Sequence, residues 1–440
     1  MTVIEGVEPA NGKKYPEDAR SRHVEHPTSY LETLVHLLKA CFGTGILAMP
    51  EAFSKSGWAA GIVGTLLTGF ICTYAIHMLI GSEQELSRRR KVKTLTYHTT
   101  WQAAFEDGPE SLRWMAPYAP HITKLFFFFG LLGATSIYIV FMATNLKAVV
   151  DNYQDPLDRL NVRWYMLMLW VPLTLLNCVR NLKYLAPFST IGTAASVVSY
   201  GIVIYYMFQD LPPLSSREPF GSWGGLPQFF GTALFAMECI GVVMPLKNEM
   251  RHPEQFGSSF GVLNVAMTPN LIMFMTVGFF GYLKYGEVVE PSVTLNLPGK
   301  DILAQTSRIL LVLSIFITHP LNFYVSFDIG WNEYMSPRLE KNKLFIEYCV
   351  RTTLVTLTVL LAATVPYLDV IISLFGALVL TSLGLAVPAI IQLFTYWHHV
   401  HGFRFFLLSC KNYFIVTVGV IALVIGTTTN LRELIHKINS

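Results

Sequence analysis

Charge is what this 440-residue chain has least of: Asp, Glu, Lys and Arg together make up 14% of it. A soluble domain carries about 25%, so roughly half the usual polar coat is missing and an assembly of water-exposed domains is excluded. The balance of sign is thin as well. Lys and Arg number 32 against 29 Asp and Glu, a net charge of +3, and no basic stripe with interleaved aromatics occurs, so nucleic acid is not an expected partner. Cysteine is scarce: Cys41, Cys72, Cys178, Cys239, Cys349 and Cys410 form no CxxC pair. That leaves no assignable disulfide, and the six read as small buried apolar side chains. His398, His399 and His401 have no nearby Cys or carboxylate to complete a metal site and read as an interfacial loop. A GxxxxGK[ST] phosphate loop is lacking, which excludes an ATP-driven pump, and there is no N-x-[ST] sequon. The first ~30 residues hold Lys13, Lys14, Arg20 and Arg22 but no apolar core. Residues 1–32 therefore read as a disordered cytosolic tail rather than a cleavable signal peptide.

What the chain does have is apolar sequence in long blocks, 52% of the total, with a mean hydropathy of +0.45. A spanning helix needs about 20 largely apolar residues. Eleven stretches meet that need: Leu34–Phe53, Ala59–Ile80, Ile122–Val150, Trp164–Cys178, Pro187–Phe208, Gln228–Leu246, Ser259–Tyr282, Ile302–Phe327, Cys349–Val365, Leu368–Phe394 and Phe405–Ile425. The fourth is short, and the ninth and tenth are separated by Pro366 alone. The expected fold class is all-α integral membrane, one multi-pass domain over residues 33–427 embedded in a lipid bilayer.

Lys and Arg in the loops set the orientation. With a cytosolic N-terminus, 21 basic residues fall inside, among them the Arg88–Lys93 cluster, and nine outside. The N-terminus is therefore expected in the cytosol, and residues 428–440 as a short extracytosolic tail. Residues 82–121 form the one substantial cytosolic loop, long enough for amphipathic helices at the interface with Trp101, Phe105 and Trp114 as anchors.

Two stretches carry interruptions at corresponding places. The first holds Gly43-Thr44-Gly45 and then Pro50; the sixth holds Gly241 and then Pro245, each proline preceded by Met. Glycine and proline are costly in a helix interior, and broken backbone at membrane depth is tolerated where it lines a cavity. These are the first helices of two five-helix halves, and matched breaks of this kind point to a transporter's binding site. Glu238 lies three residues before Gly241, a carboxylate within an apolar run and so a functional candidate.

The run Leu34-Val35-His36-Leu37-Leu38-Lys39 followed by Gly43-Thr44-Gly45-Ile46-Leu47-Ala48-Met49-Pro50 resembles the first helix of the proton-assisted amino acid transporters, a branch of the amino acid/auxin permease family in the APC superfamily. Phe235-Ala236-Met237-Glu238, Gly241-Val242-Val243-Met244-Pro245-Leu246 and Asn322-Phe323-Tyr324-Val325 agree with it. The resemblance spans Thr33 to Thr427. It implies a 5+5 inverted repeat with broken first and sixth helices plus one extra helix, and small neutral amino acids as cargo, moved with a proton and without a bound cofactor. His36 matches the family's proton-site histidine, with Glu238 as a second proton-coupling group. The substrate site is expected at Gly43, Thr44 and Gly45 with Glu238, Cys239, Ile240 and Gly241 opposite. The glycines would serve there by adopting dihedrals a side chain resists and by leaving room for the substrate carboxylate. Lys247 departs from the family, standing where many members carry a glutamate, as does Ser326 where several carry proline.

Asp328, His319 and Arg308, on or beside the eighth stretch, read as a structural polar network. Two further classes compete with a carrier. A nutrient sensor (transceptor) would bind an amino acid and move it slowly; a membrane enzyme would need a nucleophile, base or metal constellation, and none occurs. The expected membrane is the plasma membrane or a lysosomal or endosomal one, and no protein partner is indicated.

Overall fold

A computed structural model describes residues 27–180, 186–237, 239–339 and 341–439. Every regular element is a helix, and a single isolated bridge, Thr28 to Met250, is the only strand-like pairing among these residues. The first apolar stretch folds as two helices, α1 (Tyr30–Cys41) and α2 (Gly45–Ser56). Ser29 starts α1 with a capping box, its hydroxyl accepting from Glu32 N–H while Glu32 accepts from Ser29 N–H. After α2 come α3 (Trp58–Arg90), α4 (Tyr97–Asp107), α5 (Ala119–Val150), α6 (Val162–Asn177) and α7 (Ala186–Met207). The second half runs α8 (Leu226–Ala236), α9 (Ile240–Glu249), α10 (Val262–Tyr285), α11 (Ile302–Asp328) and α12 (Lys343–Thr364). Three helices follow: α13 (Leu368–Phe375), α14 (Val387–Thr395), joined to it by π-wound residues Gly376–Ala386, and α15 (Gly402–Asn439).

Among the described residues nine helical segments are long and apolar enough to cross a membrane, or ten if α1 and α2, bent by 51°, are one span. The expectation of eleven parts from this at α6, whose 16 residues give a rod of about 24 Å against a hydrocarbon core of about 30 Å. The division at Pro366 is present, since α12 ends at Thr364 and α13 begins at Leu368.

The two halves meet helix against counterpart: α2 packs on α8, α3 on α10, α5 on α11 and α6 on α12. Backbone hydrogen bonds then tie a half-helix of one broken helix to the opposite half of the other at each end of the bundle. At the end bearing the chain's start, Thr28 N–H donates to Glu249 O at 2.9 Å and Arg251 N–H to Thr28 O at 3.0 Å, joining α1 to α9. At the opposite end Gly221 N–H donates to Ser56 O at 2.7 Å, joining α2 to the segment that leads into α8. Gly57 makes that junction with φ +81° and its α-carbon face against Pro219 and Gly221, a conformation and a clearance that exclude other residues.

Several features differ from expectation. Residues 82–90 are the last turns of α3 rather than loop. Trp101 and Phe105 on α4 are buried, with the Phe105 ring 5.1 Å from Phe394 of α14, so they are core and not membrane anchors; Trp114 alone is exposed. Residues 428–439, expected as a tail, continue α15. Cys41 and Cys239 are buried as expected, whereas Cys349 and Cys410 lie on outward faces. His319, Arg308 and Asp328 do not share a network. His319 Nδ1 meets Asn177 Nδ2 at 3.2 Å, Arg308 donates to the carbonyls of Thr294 and Leu297, and Asp328 accepts from Asn332.

Candidate functional site

The two interruptions face each other. Between α1 and α2, Phe42, Gly43 and Thr44 leave the helix, and Met237 and Cys239 separate α8 from α9. Glu238 lies outside the described residues, as does the N-terminal segment 1–26. The half-helices α2 and α8 touch at the break: a Cβ on Gly45 would stand 2.5 Å from Ala236 Cα. Gly45 therefore serves close approach of α2 to α8, and none of Gly43, Gly45 and Gly241 has positive φ. A Cβ on Gly43 would meet nothing within 4 Å, and one on Gly241 only the Phe127 ring at 3.3 Å. The expectation that unusual dihedrals demand these glycines is thus overturned; packing demands one of them.

Helix ends converge on this region. The N-termini of α2 and α9 carry no side-chain cap from Thr44 or Cys239, so amide N–H groups and a partial positive charge face the break. Thr44, Cys239 and Ile240 are buried. The carbonyls ending α1 meet the Tyr200 hydroxyl of α7, which lies 3.4 Å from Phe42 O and 3.2 Å from Gly43 O. Asn322 of α11 donates to the Tyr138 hydroxyl of α5 at 3.0 Å, so the family-like Asn322 segment closes a polar wall between those helices. Two apolar clefts flank the α8–α9 break. One is lined by Phe127, Gly130, Leu131, Ala134, Phe235, Phe375, Val379 and Leu380. The other is lined by Cys72, Ile76, Leu234, Met237, Cys239, Ile240, Leu380 and Gly384. None of these lining residues is charged.

His36 is not brought into the break. It lies on the exposed face of α1, one turn after Glu32. Lys39, on the same helix, reaches α7 and donates to the Ser189 hydroxyl at 2.7 Å. Two features escaped the sequence reading. Tyr200 was one of 20 tyrosines with no periodicity to mark it. Glu51, on α2, is buried with its carboxylate 3.4 Å from Lys55 Nζ; its signal was an acid inside the first apolar stretch.

Comparison with known proteins follows the same line. A family model described as transmembrane amino acid transporter protein matches residues 26–431. The chain is 38% identical over 410 residues to the Drosophila melanogaster proton-coupled amino acid transporter-like protein pathetic, covering 93% of this chain and 86% of that one. It is 24% identical over 437 residues to the Caenorhabditis elegans probable amino acid transporter skat-1, covering 95% and 92%. Among solved structures it resembles Mhp1, a nucleobase-cation-symport-1 family transporter. The TM-score is 0.56 to the inward-facing conformation, at 12% identity over 98% of this chain and 96% of that one. It is 0.51 to a closed conformation, at 14% identity over 97% and 95%.

Proposed function

Because the chain belongs to the transmembrane amino acid transporter family, the amino acid/auxin permeases, we propose that it is a secondary carrier of small neutral amino acids coupled to protons. It is a multi-pass membrane protein of a family of transporters, not an enzyme. The observation that carries the finer reading is the apposition of two broken helices whose uncapped N-termini face one region. Those N-termini suit a carboxylate, and the carbonyl ends of α1 and α8 suit an ammonium group. The substrate then lies between Gly43, Thr44 and Gly45 and the stretch Glu238, Cys239, Ile240 and Gly241 of the second interruption. The apolar clefts supply walls for a neutral side chain, since a charged one would be buried there without a counter-ion.

Alternating access is supported by the ties between half-helices, α1 with α9 at one end and α2 with the α8 segment at the other. Each tied pair can swing about the breaks as a unit. A 5+5 inverted repeat accounts for the pairing of α2, α3, α5 and α6 with α8, α10, α11 and α12, and eleven spans result when α6 is counted as a short crossing. The basic residues then favour a cytosolic N-terminus, in a plasma, lysosomal or endosomal membrane. The relative pathetic is named as proton-coupled; here His36 on the inner half-helix and Glu238 at the break are the groups proposed to carry the proton.

Uptake of labelled glycine, alanine, proline, leucine, lysine and glutamate into liposomes, with and without an inward proton gradient, tests this. Accumulation of the small neutral members that grows with the gradient is expected. Preference for lysine or glutamate would refute the substrate class, and turnover far below one per second would favour the sensor.

A further inference from the structure

Asn270 lies in the middle of α10 with no exposed surface, and neither its carboxamide oxygen nor its nitrogen has a hydrogen-bond partner among the described residues. Burying an amide unpaired is costly, and apolar surroundings at membrane depth offer no water to offset it.

Its place follows from the helix. Residues 267, 270, 274, 278 and 281 fall on one face of α10 at spacings of three and four. The stripe is anchored at both ends. Met267 Sδ lies 4.0 Å from Cys239 Sγ at the second break. A Cβ on Gly278 would meet the Phe53 ring at 2.5 Å, and one on Gly281 would meet Pro50. Eleven residues before Gly281 is about 16 Å down the helix, on the part of α10 that leads toward the second break, and α10 packs on α1 as well as on α2. The stripe that carries Asn270 thus runs from Cys239 at the second break to Phe53 and Pro50 of α2.

We propose, resting on the carrier reading above, that Asn270 is a substrate-binding residue whose Oδ1 accepts from the α-ammonium group of the amino acid. The carbonyl end of α1 carries partial negative charge, so an ammonium is favoured there, while the carboxylate occupies the N-termini of α2 and α9. Selection for an α-amino acid over a simple carboxylate follows, because an orphaned amide penalises any ligand that leaves it unpaired.

The test uses purified full-length protein and thermal unfolding with glycine against acetate and alanine against propionate, pairs that differ by the ammonium group. Wild type is expected to bind the amino acid at least ~10-fold more tightly than its deamino partner. In Asn270→Leu that ratio falls to within about twofold through loss of amino-acid affinity, propionate affinity is unchanged, and the melting temperature without ligand is not lowered. A lowered ligand-free melting temperature means that the amide has a partner within the protein and overturns the proposal. So does a preserved ratio in Asn270→Leu, or in Asn270→Ala if the leucine variant does not fold. If wild type responds to no amino acid tested, the carrier reading fails and takes this one with it; if wild type responds and the variants discriminate as well as it does, only this inference fails.

Discussion

Lys247, in the last turn of α9, forms an ion pair with Glu83 of α3, and both side chains are buried. Glu83 has further partners: it accepts from the Ser87 hydroxyl at 2.9 Å and from Leu95 N–H at 2.8 Å. The family glutamate that Lys247 replaces would set two carboxylates together, so the lysine makes sense only with Glu83 opposite.

Removing one partner of a buried pair leaves an uncompensated charge. Lys247→Met is therefore expected to cost about 3–5 kcal/mol of stability, read as a lowered midpoint of thermal unfolding in detergent. Adding Glu83→Gln should restore most of it, because glutamine still accepts from Ser87 and Leu95 while removing the charge. A double variant no better than the single would show that the pair is not what the lysine supports.

The glycines of the first break separate by their surroundings. Gly45→Ala places its Cβ 2.5 Å from Ala236 Cα, so α2 and α8 must part or the side chain must strain. Loss of most transport, with insertion preserved, is expected. Gly43→Ala has free space and should retain uptake within about threefold, apart from a helix-propensity effect below 1 kcal/mol. Equal damage from both substitutions would mean that the loop's freedom, not the α2–α8 contact, is what matters.

Much of the scaffold was legible because bilayer burial writes itself as runs of apolar residues, and Gly43 and Gly241 marked real breaks. The misreadings share a cause: sequence does not say what covers a side chain. Trp101 and Phe105 have interfacial chemistry, yet α14 lies over them. Residues 428–439 are polar enough for a tail, but α15 at 38 residues is about 57 Å long and simply outruns the hydrocarbon. Gly43 and Gly45 look alike in sequence and differ only in whether Ala236 stands opposite. Asn270 was one asparagine in an apolar stretch, and its lack of partners together with its place on the α10 face that meets Cys239 and α2 is visible only in the structure.

His98, on α4, supplies a pH dependence. Its Nδ1 is buried without a partner, and its ring meets the Phe127 ring edge-on at 5.6 Å. Burial, with the Lys124 cation adding to it, pushes its pKa down to about 4. The folded state thus holds fewer protons than the unfolded state between about pH 6.5 and 4, so stability is present above 6.5 and is lost as pH falls through that window. His98→Phe removes the titration. The stability difference between variant and wild type should shift in the variant's favour by about 2–3 kcal/mol between pH 7.5 and 4.5, measured by thermal unfolding. A pH-independent difference would mean that the histidine is not held neutral. The consequence reaches the site, since Phe127 also lines one of the two clefts and stands opposite Gly241, 3.3 Å from where a Cβ there would lie.

The last turns of α15 carry the final prediction. Lys437 pairs with Asp369, at the start of α13, and lies 3.2 Å from Glu433; the Tyr367 hydroxyl donates to Lys437 O at 2.6 Å. Asp369 is 8% exposed, and its neighbourhood includes Glu51 and Lys55 of α2. Ending the chain after Thr427 removes the lysine and leaves two acids, Glu51 and Asp369, near one another with Lys55 alone between them. A disposable tail would cost nothing. The docked helix end should instead cost about 1–3 kcal/mol, below the value for a sealed pair because Lys437 is partly open to solvent. Asp369→Asn in the shortened chain should recover a good part of that loss, since it removes the surplus charge while keeping the shape. Full stability of the shortened protein, or no recovery with Asp369→Asn, would show that these turns hold nothing in place.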